Sequence, residues 1–152
     1  MLPRYHIITG IIFSIIIYFL FSINILQAFL IFFGAVFIDV DHYLWFIVKK
    51  KNFNLKKAFL WFIQKRKIYL SLSNIERKNY KKTLLIFHGI EALSLVLILS
   101  YINKLFLFIF IGMILHLIFD YIEYIYIKEP FYSKFSQVMV YFRNKNKKEL
   151  SI

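Results

Sequence analysis

Residues 105–127 read LFLFIFIGMILHLIFDYIEYIYI, an apolar run interrupted by His116, Asp120 and Glu123. A helix needs about 20 mainly apolar residues to cross the hydrocarbon core of a bilayer, and this run is long enough. A charged side chain at the centre of such a helix costs about 2.5–3.5 kcal/mol. The run therefore predicts a membrane-spanning helix whose polar side chains need partners.

Three further apolar runs precede it, at residues 7–21, 25–48 and 83–102. The chain is 61% hydrophobic and its mean hydropathy is +0.66, which exceeds what a soluble domain of 152 residues carries. We therefore predict an all-α fold: an integral membrane bundle of about four transmembrane helices in a single domain, 1–152. Cysteine is absent, so any metal must bind through imidazole and carboxylate groups.

The basic residues predict the orientation of these helices. The link after the first span, Ser22 to Asn24, carries no charge, whereas residues 49–82 carry twelve lysines and arginines and residues 128–152 carry six. The positive-inside rule places both segments and both termini in the cytoplasm, in a multi-pass protein of the cell (inner) membrane. The net charge of +12 then predicts contact with anionic lipid head groups of the bilayer, and no nucleic-acid partner is expected.

The segment 49–82 contains its own helical pattern. Apolar side chains recur at helical spacing while most of the neighbouring bases fall elsewhere: Leu55, Ala58, Phe59, Phe62 and Ile63. This pattern predicts an amphipathic helix lying at the cytoplasmic interface. The alternative is a solvated basic loop.

All the histidines, and five of the eight acidic residues, lie in or at the edge of the apolar runs: His6, His42, His88, His116, Asp39, Asp41, Glu91, Asp120 and Glu123. With a rise of 1.5 Å per residue, this set falls in the inner half of the bilayer, the deepest members roughly 10 Å below its surface. The spacings i, i+3 and i, i+4 let the pairs point into the bundle. This arrangement resembles carboxylate–histidine metal sites in helical bundles.

Each residue also has a simpler interpretation. The set as a whole could be a hydrogen-bonded network that orders helix packing, although serine and threonine do this at lower cost. His6 could merely sit at the interface, Asp39 could cap a helix locally, and Glu123 could be a salt-bridge residue at the rim. We favour the functional site.

These residues resemble the membrane-bound metal-dependent hydrolase family, whose motifs are similar to those of zinc-dependent phospholipase C and nuclease-type hydrolases. The family carries an early histidine, Pro-Asp-x-Asp-His, a central histidine-rich segment and a late His-x-x-x-Asp. Here these parts look like His6, Asp39 to His42, His88 to Glu91, and His116 to Asp120. Ile38 replaces the family's proline, and a single histidine replaces the central His-Arg-Gly-x-Thr-His-Ser pattern.

The resemblance implies a hydrolase of an ester or phosphoester, with a lipid or lipid-linked substrate. The expected metal ligands are Asp41, His42, His88, His116, Asp120 and His6. Glu91 is expected as a ligand or general base, and Asp39 as the carboxylate that orients a ligating histidine. The expected cofactor is a divalent metal, with zinc favoured over Mn, Fe or Mg. Lys81, Lys82 and Lys49 would hold the substrate phosphate.

Two other functions stay open on the sequence alone. Intramembrane histidines and carboxylates also mark ion or proton pathways, but a pathway needs polar groups through the whole bilayer, and the outer halves of these runs have almost none. A structural membrane protein with a metal used only for folding is the second alternative. The substrate, the number of metals, the oligomeric state and retention of activity are not encoded in these patterns.

Overall fold

The structure, a computed structural model, describes residues 3–130 and 135–150. The predicted all-α class is confirmed for these residues, which form helices and no β-strand. The helices are α1 (Pro3–Phe21), α2 (Ile25–Phe37), α3 (Val40–Lys50), α4 (Leu55–Ser71), α5 (Asn74–Arg77), α6 (Ile90–Ile102), α7 (Leu105–Tyr126) and α8 (Gln137–Asn144). A 3-10 turn, Ile86–His88, precedes α6.

Three helical segments are long and apolar enough to cross a membrane: α1, the run Ile25–Lys50 formed by α2 and α3, and α7. Their outward faces carry many exposed large apolar side chains, including Ile8, Phe19 and Ile118. Such a surface is stable in lipid and costly in water. These features indicate a membrane protein with three candidate spans.

The second span breaks where its acidic residues begin. Asp39 N–H donates to the Val36 carbonyl and Asp41 N–H to the Ile38 carbonyl, at 3.2 Å each. Each bond joins residues three apart, as in a 3-10 helix, and not four apart as in an α-helix. The chain therefore tightens into a turn between α2 and α3. The predicted span 25–48 is thus two helices joined at Ile38 and Asp39.

The predicted span 83–102 is helical only in α6. Thirteen residues at 1.5 Å each reach about 20 Å, which is short of the roughly 30 Å hydrocarbon core. Upstream of α6, tertiary partners take the backbone amides: Leu85 N–H donates to the Gln137 side chain at 3.0 Å, and Phe87 N–H to Asp41 Oδ2 at 2.5 Å. The segment therefore does not form a helix, and a fourth full span is not confirmed.

Two glycines let α2 and α7 pack closely. A Cβ added to Gly34 would collide with the Ile109 carbonyl oxygen, and one added to Gly112 would collide with the Ile31 carbonyl oxygen. Only a residue without a side chain allows backbones to approach in this way. The crossing lies one helical turn before His116.

Helices α4, α5 and α8, called here the cap, cover one end of the bundle. Arg77 is buried, and its guanidinium donates to four backbone carbonyls, three near the end of α4 and one just after α7: Tyr69, Leu70, Leu72 and Ile127. The predicted helix within 49–82 is present as α4.

Candidate metal centre

The four histidines and the three aspartates of the chain meet below the cap. His6 comes from α1, Asp39 from the α2–α3 junction, Asp41 and His42 from α3, His88 from the 3-10 turn, and His116 with Asp120 from α7. His6 and His116 are each 1% exposed and His88 is 3% exposed. Distant parts of the sequence thus bring imidazoles and carboxylates into one buried cluster.

Atoms of His88, His116 and Asp120 are spaced like the ligands of one metal ion, and Asp39 lies beside the two histidines. His116 Nε2 lies 3.3 Å from His88 Nε2, and each lies 3.7 Å from Asp120 Oδ2. Asp39 Oδ1 lies 3.8 Å from His116 Nε2 and 3.9 Å from His88 Nε2. Ligands about 2.1 Å from a tetrahedral ion stand roughly 3.4 Å apart, so a modest contraction would close the site.

The remaining two histidines flank this centre. His6 Nε2 lies 3.2 Å from Asp120 Oδ1, and its ring stacks on the His116 ring with centroids 3.7 Å apart. His42 Nε2 lies 3.7 Å from Asp39 Oδ1. Three triads could hold a metal ion, each with ligand atoms within 4.8 Å of one another: His6–Asp39–His116, Asp39–His42–His88 and His88–His116–Asp120.

Contacts behind the cluster set the tautomers of two histidines. His116 Nδ1 donates to the Ala35 carbonyl at 2.7 Å, and His88 Nδ1 donates to Asp41 Oδ2 at 3.3 Å. As neutral imidazoles with hydrogen on Nδ1, both Nε2 atoms present lone pairs to each other. A proton or a metal ion between them relieves that repulsion, and two imidazole nitrogens beside carboxylates are a suitable donor set for a divalent metal.

The two aspartates of the Asp-x-Asp-His segment contact different nitrogens of the His88 ring. Asp39, expected to orient a ligand, belongs to two of the triads. Asp41, expected as a ligand, accepts hydrogen bonds from the Phe87 amide and the His88 ring. Such an outer carboxylate fixes the ring and raises the basicity of its other nitrogen.

His6 Nδ1 and Asp39 Oδ2 are buried atoms of the cluster that have no hydrogen-bond partner among the described residues. Buried polar atoms without a partner are rare in folded proteins and call for an explanation, such as an ion or a water. The donor set of imidazole nitrogens and carboxylate oxygens fits Zn, Mn or Fe, and a carboxylate-rich version fits Mn or Mg. The residues present therefore fit a divalent metal.

Glu91 lies apart from these triads. Its carboxylate accepts from the Ser136 hydroxyl at 2.5 Å and from the Gln137 and Val138 amides at 3.1 Å each. Glu91 thereby binds the first turn of α8, a favourable place for a negative charge. The expectation that it acts as a ligand or base finds no support in this position.

A cavity of about 370 Å³ opens beside the cluster. One wall holds Asp39, His42 and Asp120, and another is the apolar face of α4 predicted from the sequence. Four cationic side chains also line it: Lys65, Arg66, Lys81 and Lys82. Glu123, predicted as a rim residue, is held there by Arg66 at 2.6 Å.

The expected phosphate-binding lysines are already engaged in part. Lys82 Nζ contacts Glu129 Oε2 at 2.6 Å and the Tyr69 hydroxyl. Lys49 is not among the residues that line the cavity, and it pairs with Glu149 at 2.7 Å. Sequence reasoning missed Lys65 and Arg66, although they follow Phe62 by three and four residues and so share its face of the helix.

No protein-family model, curated protein or solved structure matches the chain. The metal centre therefore rests on the convergence of its side chains and on the hydrogen bonds behind them.

Proposed function

We propose that the protein is a membrane-embedded, metal-dependent hydrolase of an ester or phosphoester, with the substrate a lipid or lipid-linked molecule. The observation that carries this proposal is the pair of Nε2 atoms on His88 and His116, 3.3 Å apart, with carboxylate oxygens of Asp39 and Asp120 within 4 Å. Such a group is costly in a membrane bundle unless it binds a cation.

The position of each residue in the site determines the role that we propose for it. His88, His116, Asp39 and Asp120 would hold a divalent cation, with His6 and His42 beside them. When bound, that cation would lower the pKa of a water toward about 7 and would polarise a carbonyl or phosphoryl oxygen. Asp39, His42 and Asp120 line both the cluster and the cavity, so a side chain among them that does not hold the cation could accept a proton from a water there.

The cavity beside the cluster supports an amphiphilic substrate. Its volume falls within the roughly 300–1,000 Å³ typical of small-ligand sites. The α4 wall offers apolar contacts from Phe59 and Phe62, while Arg66 and Lys81 offer positive charge. An apolar chain with an anionic group satisfies both surfaces.

The proposal includes the arrangement of the helices in the membrane. We place α6 as the fourth membrane segment, α4 at the cytoplasmic interface, and both termini in the cytoplasm of an inner-membrane protein. The concentration of bases in 49–82 and 128–152 supports this orientation.

Hydrolysis by purified protein tests the activity. The assay uses bis(p-nitrophenyl) phosphate and a short-chain phospholipid, with protein loaded with Zn²⁺ or Mn²⁺ and compared with protein treated with EDTA. We expect turnover that EDTA abolishes, that His88→Ala abolishes, and that the exposed-site control Ser94→Ala retains. If no ester is cleaved and only folding depends on metal, the structural alternative holds; proton flux in liposomes would support the relay instead.

A further inference from the structure

A second cavity, of about 430 Å³, lies between the end of α7 and helices α5 and α8 of the cap. Among the described residues that line it, one carboxylate, that of Glu129, accompanies six cationic side chains: Arg77, Lys78, Lys82, Lys128, Arg143 and Lys147. A concave site with this excess of positive charge concentrates anions.

The negative charge of Glu129 is already paired with cationic side chains. Glu129 accepts from Lys82 Nζ at 2.6 Å and from the Tyr69 hydroxyl at 2.5 Å, and Arg77 lies 3.9 Å away. None of the described carboxylates lies within ion-pair distance of Lys78, Lys128 or Lys147. The cavity therefore keeps positive charge that the described part of the chain does not balance.

The position of the cavity relative to the end of α7 indicates which anion it would bind. Lys128 follows α7 by two residues, so the cavity begins where an apolar span ends. At that level a membrane presents lipid head groups, and basic pockets next to spans bind anionic ones. A lipid phosphate reaches the cavity without leaving the bilayer.

We propose that this cavity binds the phosphate-bearing head group of an anionic lipid. Lys78 of the cap, Lys128 after α7 and Lys147 after α8 contact the phosphate from three sides, and Arg77 holds the cap against α7. The cavity contains none of the histidines or aspartates of the metal centre, although Lys82 and Glu129 line both cavities, and the proposal does not depend on hydrolase activity.

Lipid bound there would also steady the segment that carries His88. Asn144, which lines the cavity, exchanges two hydrogen bonds with the Lys82 backbone, at 3.0 and 2.9 Å. In the same helix, Gln137 accepts from the Leu85 amide at 3.0 Å. A ligand that binds α8 and the end of α7 together therefore stabilises the path to the 3-10 turn.

The test measures thermal unfolding of EDTA-treated protein in neutral detergent, which removes any contribution from metal. Short-chain phosphatidylglycerol is compared with phosphatidylcholine of the same chain length and with inorganic phosphate. We expect phosphatidylglycerol to raise the Tm by several degrees more than either. The Lys78→Gln, Lys147→Gln double variant should weaken its apparent affinity about tenfold.

The matched control is Lys56→Gln, Lys57→Gln, which removes the same charge from exposed positions on α4 and should leave the response unchanged. Equal weakening by both double variants would overturn the proposal in favour of general charge attraction. Equal protection by inorganic phosphate would overturn it in favour of a soluble anion. If the double variant does not fold, Lys78→Gln alone provides the same comparison.

Discussion

Asp39 and Asp41 are two residues apart in the sequence but contact different partners. Asp39 lies in the turn between α2 and α3, with Oδ1 near the Nε2 atoms of His42, His88 and His116. Asp41 lies in the first turn of α3 and contacts His88 from the other side of its ring. Residues two apart on a helix point in nearly opposite directions, so one aspartate faces the cluster and the other supports it.

Substituting each aspartate separates the two roles. We expect Asp39→Asn to lose stoichiometric metal, because it removes a carboxylate that two triads share. Asp41→Asn should keep the stoichiometry and weaken metal affinity by about 10- to 100-fold, the usual effect of losing an outer partner of a ligand. Competition with a chelator measures both. Greater loss in Asp41→Asn would reverse the assignment.

Glu91→Gln tests whether that carboxylate acts in chemistry or in folding. Three hydrogen bonds join it to the start of α8, and a charged acceptor there contributes about 1–3 kcal/mol. We expect a lower Tm with unchanged metal content and unchanged turnover per folded molecule. Abolished turnover in protein with a wild-type Tm would instead establish Glu91 as the base.

The crossing of α2 and α7 positions His116. Gly112 and His116 are four residues apart and share a face, so anything that separates the helices at Gly112 also moves the imidazole. We expect Gly112→Val to cost more than about 2 kcal/mol through overpacking and to reduce metal content. Thermal unfolding and elemental analysis measure these two effects.

Gly10→Ala on α1 is the matched control for that variant. Its added Cβ would lie 3.2 Å from the Ala35 Cβ, a contact between side chains that small shifts relieve. We expect stability within about 1 kcal/mol of the wild type and full metal content. Similar losses in both variants would show that the α2–α7 crossing has no special role.

The contact between the cap and α7 should depend on pH through Glu129. Burial raises the pKa of this carboxyl, but hydrogen bonds from Lys82 and Tyr69 and the charge of Arg77 outweigh it and hold the pKa below its usual 4.5. A lowered pKa in the folded state adds stability that is complete above the unfolded pKa and is lost as the pH falls through the folded one.

Glu129→Gln should therefore lower the free energy of unfolding by roughly 3 kcal/mol at pH 7, because it leaves buried cations without their carboxylate. The difference from wild type should shrink as the pH falls below about 4.5. Denaturant titrations of both proteins between pH 7 and pH 3.5 measure it. A difference that stays constant with pH would exclude the ionised carboxylate as the cause.

Long apolar runs made α1 and α7 predictable from the sequence, and helical spacing made α4 and its apolar face predictable. Depth along the spans also indicated that the histidines would share one layer. The non-helical stretch before His88 was not predictable, because its amides bond to Asp41, Gln137 and Asn144, residues far away in the sequence. The different partners of Asp39 and Asp41 were not predictable either. They depend on the break between α2 and α3, which the local sequence does not indicate.

Among the described residues, the buried histidines and carboxylates lie at one end of an apolar bundle. The His–Asp cluster, the cavity beside it and the basic cavity all lie next to the cap, while the rest of α1, α2 and α7 presents apolar side chains. That distribution supports a site reached from one membrane surface and disfavours a proton path across the bilayer.

Elemental analysis of detergent-purified protein shows whether the His–Asp cluster binds a metal ion. Wild type is compared with the His88→Ala, His116→Ala double variant and with the exposed-site control Asn103→Ala, after reconstitution with Zn²⁺, Mn²⁺ or Fe²⁺. We expect stoichiometric metal in wild type and in the control, and none in the double variant. Folded wild-type protein that holds no metal under any of these conditions would contradict it.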